Sequence, residues 1–166
     1  MQNGKSPGSD GLSAEFYKAF WKLIKTELTE VMNNAFLFNQ LCESWTKGIV
    51  KMIYKKGDNK ELRNYRPLTL LNTDYKILSK IINRRLSEIM PNIIYKSQKC
   101  SVNQRYIHDA TLNIKAAIDY TKYKKKPLFI ASFDQEKAFD MVNHEYLMKL
   151  IETLNLGTKF HRYIEK

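Results

Sequence analysis

Two carboxylates, Asp134 and Asp140, follow closely on the apolar run Leu128 to Phe133, with the large aromatic Phe139 just ahead of the second. A carboxylate at the mouth of a buried strand is a common way to hold a hard divalent cation at a pocket floor. The run is six residues long and carries Phe and Ile, which suits a strand buried on both faces. Pro127 fits the first position of such a strand, where a missing N–H does no harm. Spacing alone leaves a second reading open. Asp134 would then end the strand and Asp140 cap the following helix, because Asp favours turns and helix starts.

A second concentration of chemistry lies between Lys51 and Arg66. Lys51, Lys55, Lys56, Lys60, Arg63 and Arg66 are offset there only by Asp58 and Glu61, with Tyr54 and Tyr65 interleaved. A basic hairpin with aromatics suits a triphosphate or a nucleic acid backbone, and a solvated charged hairpin fits the pattern equally. The loop of residues 3–11 holds three glycines and a proline but lacks the ending of a phosphate-binding P-loop.

These residues need elements to position them, and the periodicities supply candidates. Phe16, Phe20, Leu23, Ile24, Leu28, Val31, Ala35 and Phe36 give helical spacing from Ser13, as N-cap, to about Asn39. Gly48–Tyr54 reads as a strand, Lys55–Asp58 as its turn, and Pro67–Leu71 as the returning strand with Arg66 at its start. Asn72 or Thr73 caps a helix that Pro91 halts. Residues 92–105 are irregular, and a further helix runs from about Tyr106 to Tyr120. Asn143 caps a helix through Leu154, with Gly157 past its end, and Thr158–Ile164 begins another. The 166 residues suit one domain or two small ones, and 43% apolar residues supply a core.

The net charge of +11, from 28 Lys and Arg against 17 Asp and Glu, favours polyanionic partners, nucleic acid before an anionic membrane. No apolar run approaches the roughly 20 residues that span a bilayer, and the N-terminus has no apolar signal region. Cys42 and Cys100 imply neither a disulfide framework nor a zinc site, and His108, His144 and His161 stand alone. Lys122, Lys124, Lys125 and Lys126 read as a wet basic loop and only weakly as a nuclear import signal. The expected location is intracellular, with the nucleus left open.

The order of several short strings is more specific than any one of them. Ser6–Gly11, Phe16-Tyr17, Ile53–Gly57, Asn64–Leu68, Tyr75–Lys80 and Phe133–Asp140 occur in register. Together they resemble the reverse transcriptase of non-LTR (LINE-type) retrotransposons over nearly the whole chain. The resemblance implies an α+β right-hand polymerase, helix-rich with a few short strands and truncated. Residues 1–126 would form a fingers-like region with an N-terminal extension loop, and 127–166 the start of the palm. Asp134 then matches the first catalytic, metal-binding aspartate, with the backbone carbonyl of Gln135 facing a second metal. Phe139 matches the bulky gate against a 2′-hydroxyl. Arg66, with Lys55 or Lys56, matches the cations that hold the incoming triphosphate. Gly8 and Gly11, in the loop that lies over the template, and Gln98 and Arg105 match template or primer contacts. The implied cofactor is Mg²⁺ (or Mn²⁺), expected only with the complete palm. The implied partners are an RNA template, a DNA primer and a dNTP, with no membrane; the oligomeric state stays open.

Two departures shape the expectation. The family usually carries glycines and an aromatic where this chain has Cys100, Ser101 and Gln104, in a loop that needs glycine for close approach or positive φ. The family's tyrosine-x-Asp-Asp motif is expected beyond this chain, in which no two aspartates are adjacent. The expected function is therefore a fragment of an RNA-directed DNA polymerase, inactive by itself. The alternatives are a non-catalytic basic nucleic-acid-binding module or a partner-binding remnant.

Overall fold

The computed structural model describes residues 1–165. The chain divides into two compact units, Met1–Ile82 with the last residues from Arg162, and Asn83–His161. Six α-helices and one two-stranded antiparallel sheet make up the regular structure of the described residues, so the fold is helix-rich. None of these helices is long and apolar enough to cross a membrane.

The first unit begins with α1 (Ala14–Ala19) and α2 (Trp21–Leu37). The apolar spacing predicts one helix here, and the backbone instead bends at Phe20, whose ψ of 10° leaves the helical region. Phe20 still donates its N–H to Phe16 O at 3.0 Å, and the rings of Phe16 and Phe20 meet with centroids 5.0 Å apart. The helical stripe therefore survives the bend. Asn39, at φ 53°, ends α2 in the left-handed region, and Gln40 N–H reaches back to Ala35 O. That is the usual way an α-helix closes its last turn when asparagine stands in for glycine.

Below α2 sits the core of this unit. Met32 and Ala35 of α2 meet Trp45, from a short 3₁₀ turn, and Leu78 of α3 (Thr73–Ile93). Trp45 is only 3% exposed and its indole N–H donates to Asp74 Oδ2 at 2.7 Å, so the polar tip of the ring is satisfied. On the scale of aromatic truncations in cores, removing that ring costs about 3–5 kcal/mol. The strands β1 (Ile49–Tyr54) and β2 (Tyr65–Leu70) pair from Ile49↔Leu70 to Tyr54↔Tyr65, as the strand–turn–strand pattern predicts.

The second unit holds the end of α3, then α4 (Ile107–Tyr123), α5 (His144–Thr153) and the start of α6 (Thr158–Glu165). Asn143 caps α5 as expected, its Oδ1 accepting the Tyr146 N–H at 2.9 Å. Two expectations need correction. Helix α3 does not halt at Pro91 but continues to Ile93: the proline removes one N–H, and the carbonyl left without it, that of Ser87, accepts instead from Asn103 Nδ2 at 3.2 Å. Leu128–Phe133 is not a buried strand. It has no ladder partner among the described residues, and Phe129 and Phe133 are 93% and 94% exposed. Extended backbone without a neighbouring strand has nothing to bond its N–H and C=O groups except water.

Candidate functional site

The hairpin gathers the cations of the first unit. Residues opposite one another in an antiparallel pair share a face, and side chains alternate along each strand. Arg66 lies opposite Ile53, so it shares a face with Lys51, which lies opposite Leu68. Lys55 N–H continues the ladder to Asn64 O at 2.9 Å, and alternation carries Lys55 to that same face. Lys56 follows in the connecting turn. No ion pair involves Lys51, Lys55, Lys56 or Arg66 among the described residues, whereas neighbouring Arg63 is paired with Glu61. The opposite face is occupied by Tyr54 and Tyr65, ring centroids 5.6 Å apart. Their hydroxyls donate to the carbonyls of Gly57 and Asn59, which fastens the turn.

Gly8 and Gly11 do different work. A Cβ on Gly8 would lie 2.1 Å from Asn72 Oδ1 and 2.5 Å from Asn72 N. The absence of a side chain at Gly8 therefore serves packing against the β2–α3 junction. Gly11, at φ +72°, turns the chain in open space. Asn72 is the hub of this packing and is 2% exposed. Its Oδ1 accepts from Ser9 Oγ at 3.3 Å and from Asp10 N at 3.5 Å, and its Nδ2 donates to Ser44 O at 3.2 Å. Thr73 Oγ1 adds a bond to Leu12 O at 2.7 Å. Beside this junction, Lys5, Lys76 and Lys80 line a cavity of about 380 Å³ with Ser6 and Thr73 and no carboxylate.

In the second unit, the loop that follows α3 carries Gln98 and Arg105. Gln98 Nε2 donates to Cys100 O at 3.2 Å. Arg105 donates to four backbone carbonyls at 2.6–2.9 Å. Ser101 and Gln104 have φ of 58° and 63°, in the region glycine prefers. These are two of the three positions where glycines or an aromatic were expected.

Asp134, Gln135 and Phe139 lie on the exposed segment that follows Phe133, and Phe139 is 96% exposed. A turn at residues 136–141 is held by Asp140 and Met141, whose N–H groups both donate to Lys137 O. Asp140 thus closes this turn, and the cap of α5 falls to Asn143. No three His, Cys, Asp or Glu side chains gather closely enough to hold a metal ion among the described residues. The Asp134 carboxylate and Gln135 carbonyl offer two of the roughly six oxygens that Mg²⁺ demands. They do not by themselves make a metal site.

Residues 53–166 match the protein family described as reverse transcriptase (RNA-dependent DNA polymerase), which is more than half of the chain. The chain belongs to the reverse transcriptase family. It is 35% identical over 165 residues to the transposon TX1 uncharacterized 149 kDa protein of Xenopus laevis, covering 99% of this chain and 13% of that protein. It is 30% identical over 164 residues to the probable RNA-directed DNA polymerase from transposon X-element of Drosophila melanogaster, covering 93% and 17%. Against the Pol polyprotein from the type-1 retrotransposable element R2 of Popillia japonica it is 24% identical over 162 residues, covering 96% and 21%. The expected kinship with non-LTR reverse transcriptases is therefore met, and the chain spans only 13–21% of the length of these relatives.

Within this reverse transcriptase chain, the structure brings Arg66 and Lys55 together on one strand face and leaves Asp134 and Phe139 on an unpaired segment. Sequence reasoning missed Asn72 as a hub and Asn103 as a donor to α3. The weak signal for Asn72 was its position between a strand and a helix, read there only as a cap.

Proposed function

We propose that this chain is part of an RNA-directed DNA polymerase of a non-LTR element, its hairpin cations gripping the triphosphate of an incoming dNTP. The observation that carries this reading is the face shared by Lys51, Lys55 and Arg66 without a carboxylate partner. Unpaired guanidinium and ammonium groups on one face match the charge and the oxygen geometry of a polyphosphate. In this reading residues 1–126 are fingers and 127–166 begin the palm. Phe139 would wall off a 2′-hydroxyl, and Asp134 with the Gln135 carbonyl would supply two ligands to a Mg²⁺ or Mn²⁺ ion. The ion would neutralise phosphate charge when bound. The isolated chain is inactive in this reading, since no three His, Cys, Asp or Glu side chains gather to hold a metal ion among the described residues.

Calorimetric titration of dATP into the purified chain tests the grip. Arg66→Ala is expected to weaken binding about tenfold, the scale of one lost charge-assisted contact; unchanged affinity removes the triphosphate assignment. Primer extension on an RNA template with Mg²⁺ is expected to give no product. An extension product that disappears in Asp134→Ala would falsify the inactivity.

A second reading, non-catalytic nucleic-acid binding, is favoured by one separate observation. The cavity lined by Lys5, Lys76 and Lys80 presents three cations and no carboxylate. Binding to a labelled RNA hairpin is then expected to weaken steeply with salt, by about 0.9 in the log–log slope per duplex phosphate neutralised. A flat response to salt discards it.

A further inference from the structure

The C-terminal turn of α3 contains Pro91, and this creates a specific deficit. A proline has no N–H, so the carbonyl four residues earlier, that of Ser87, loses its helical donor. Asn103 supplies it: its Nδ2 lies 3.2 Å from Ser87 O. The last carbonyls of any helix are also without intrahelical donors. Arg105 answers that second deficit at Pro91 and gathers three carbonyls of the loop beyond the helix. Its Nη2 donates to Pro91 O at 2.8 Å and Ile94 O at 2.7 Å, and its Nη1 to Tyr95 O at 2.6 Å and Gln98 O at 2.9 Å. A guanidinium carries five N–H donors, and four here go to the protein's own backbone, leaving only Nε–H. No fork remains for a phosphate. A positive charge at a helix C-terminus is also favoured by the helix dipole.

The same loop needs such a clamp. Ser101 and Gln104 sit at φ 58° and 63°, a region that costs a residue with a side chain roughly 1–2 kcal/mol. Backbone held against its own preference persists only where the surroundings over-determine it. Asn103 and Arg105 are the side chains that tie this loop to α3. We infer that Arg105, with Asn103, is a positioning residue that holds the 94–105 loop in shape for nucleic acid and does not itself contact a phosphate. This rests on the nucleic-acid binding proposed above, with the loop at the bound surface as the family resemblance implies, and the test is built so that the two can fail separately.

The measurements are hydrogen exchange of the 94–105 amides and binding of a labelled RNA hairpin across a salt series, on the full chain. Lysine is the discriminating substitution. Its ammonium is a point charge that serves a phosphate contact but cannot span four carbonyls. Arg105→Lys is expected to raise exchange in the loop at least tenfold and weaken RNA binding severalfold, with the salt slope unchanged. Asn103→Ala, which removes no charge, is expected to move both readouts in the same direction and guards against a lysine variant that fails to fold. The inference is overturned if Arg105→Lys behaves as wild type in exchange and binding. It is equally overturned if Arg105→Ala lowers the salt slope by about 0.7–0.9, the signature of one lost phosphate contact. If the unaltered chain binds no RNA, the nucleic-acid proposal fails, and the exchange readout still decides what Arg105 does.

Discussion

The loop of residues 94–105 and the segment of residues 127–141 belong to the same compact unit, and each carries residues expected to act on nucleic acid or nucleotide. They are held in opposite ways. The loop has unfavourable backbone at Ser101 and Gln104, yet Asn103 and the Arg105 bond to Pro91 O fasten it to α3, and three further Arg105 bonds gather its own carbonyls. The segment has favourable β-forming residues, yet no strand pairs with it among the described residues and its aromatic rings lie almost wholly in solvent. Local preference therefore decided neither region. What decided each was whether hydrogen-bond partners stand within reach, since backbone polar groups must be satisfied somewhere.

The largest expected effect sets the two regions directly against each other. Arg105→Ala should cost about 3 kcal/mol, the scale of losing bonds made by a charged group to partly buried carbonyls. Phe133→Ala should cost less than about 0.5 kcal/mol, as expected for a side chain with almost no contacts to lose. Urea unfolding followed by far-ultraviolet circular dichroism reads both. Equal losses would erase the contrast.

A smaller effect sharpens it. Ser101→Gly and Gln104→Gly should each stabilise by about 0.5–1 kcal/mol, since glycine takes a positive φ without penalty and gives back part of that gain as chain entropy. Lys137 has φ 49° as well, but among the described residues its carbonyl holds the turn through the N–H groups of Asp140 and Met141 alone. Lys137→Gly should leave global stability within about 0.5 kcal/mol of wild type, because that turn opens without the rest of the unit. Thermal denaturation of the three variants decides the matter. A gain at 137 as large as at 101 or 104 would show that the segment folds cooperatively after all.

These particulars also mark how far the sequence could be read. The hairpin was legible because short β-favouring runs on either side of a glycine-containing turn are local signals, and Ile49–Tyr54 pairs with Tyr65–Leu70 as expected. The cap at Asn143 was legible for the same reason. The bend at Phe20 was not, because the stripe of apolar residues continues through it. The strand at 128–133 was read from a pattern that says what a strand could bury but not whether a neighbour exists to pair with it. Family kinship was legible from motifs in register. The work of Arg105 was hidden because an arginine looks the same in sequence whether it faces a phosphate or a row of carbonyls. Asn72 was hidden because its partners, Ser9, Asp10 and Ser44, lie 28–63 residues away.

The smallest expected effect extends the comparison to the N-terminal loop, a third region, which Glu15 of α1 helps to fasten. The carboxylate of Glu15 accepts the N–H of Gly4, and that bond is the main reason its pKa is held below the ordinary 4.5, with its own backbone N–H and the Ser13 hydroxyl adding to it. A carboxyl group whose pKa is lower in the folded state binds protons more weakly there than in the unfolded chain. Its contribution is therefore present above about pH 4.5 and lost as the pH falls through the folded value. Tyr17 works from the other side. Burial first, then the nearby Asp74 and Asp10, push its hydroxyl up to about 12 from 10, so its contribution is present below pH 10 and lost between 10 and 12. Amide exchange at Gly4, normalised for intrinsic rate, should accordingly rise below pH 4.5, and Glu15→Gln should abolish that step. Amides 128–133 should show no comparable acid step, because they have no ladder to lose. An acid step there as large as at Gly4 would mean that the two regions are held by the same kind of bond, and the distinction between a fastened loop and an unpaired strand would fall with it.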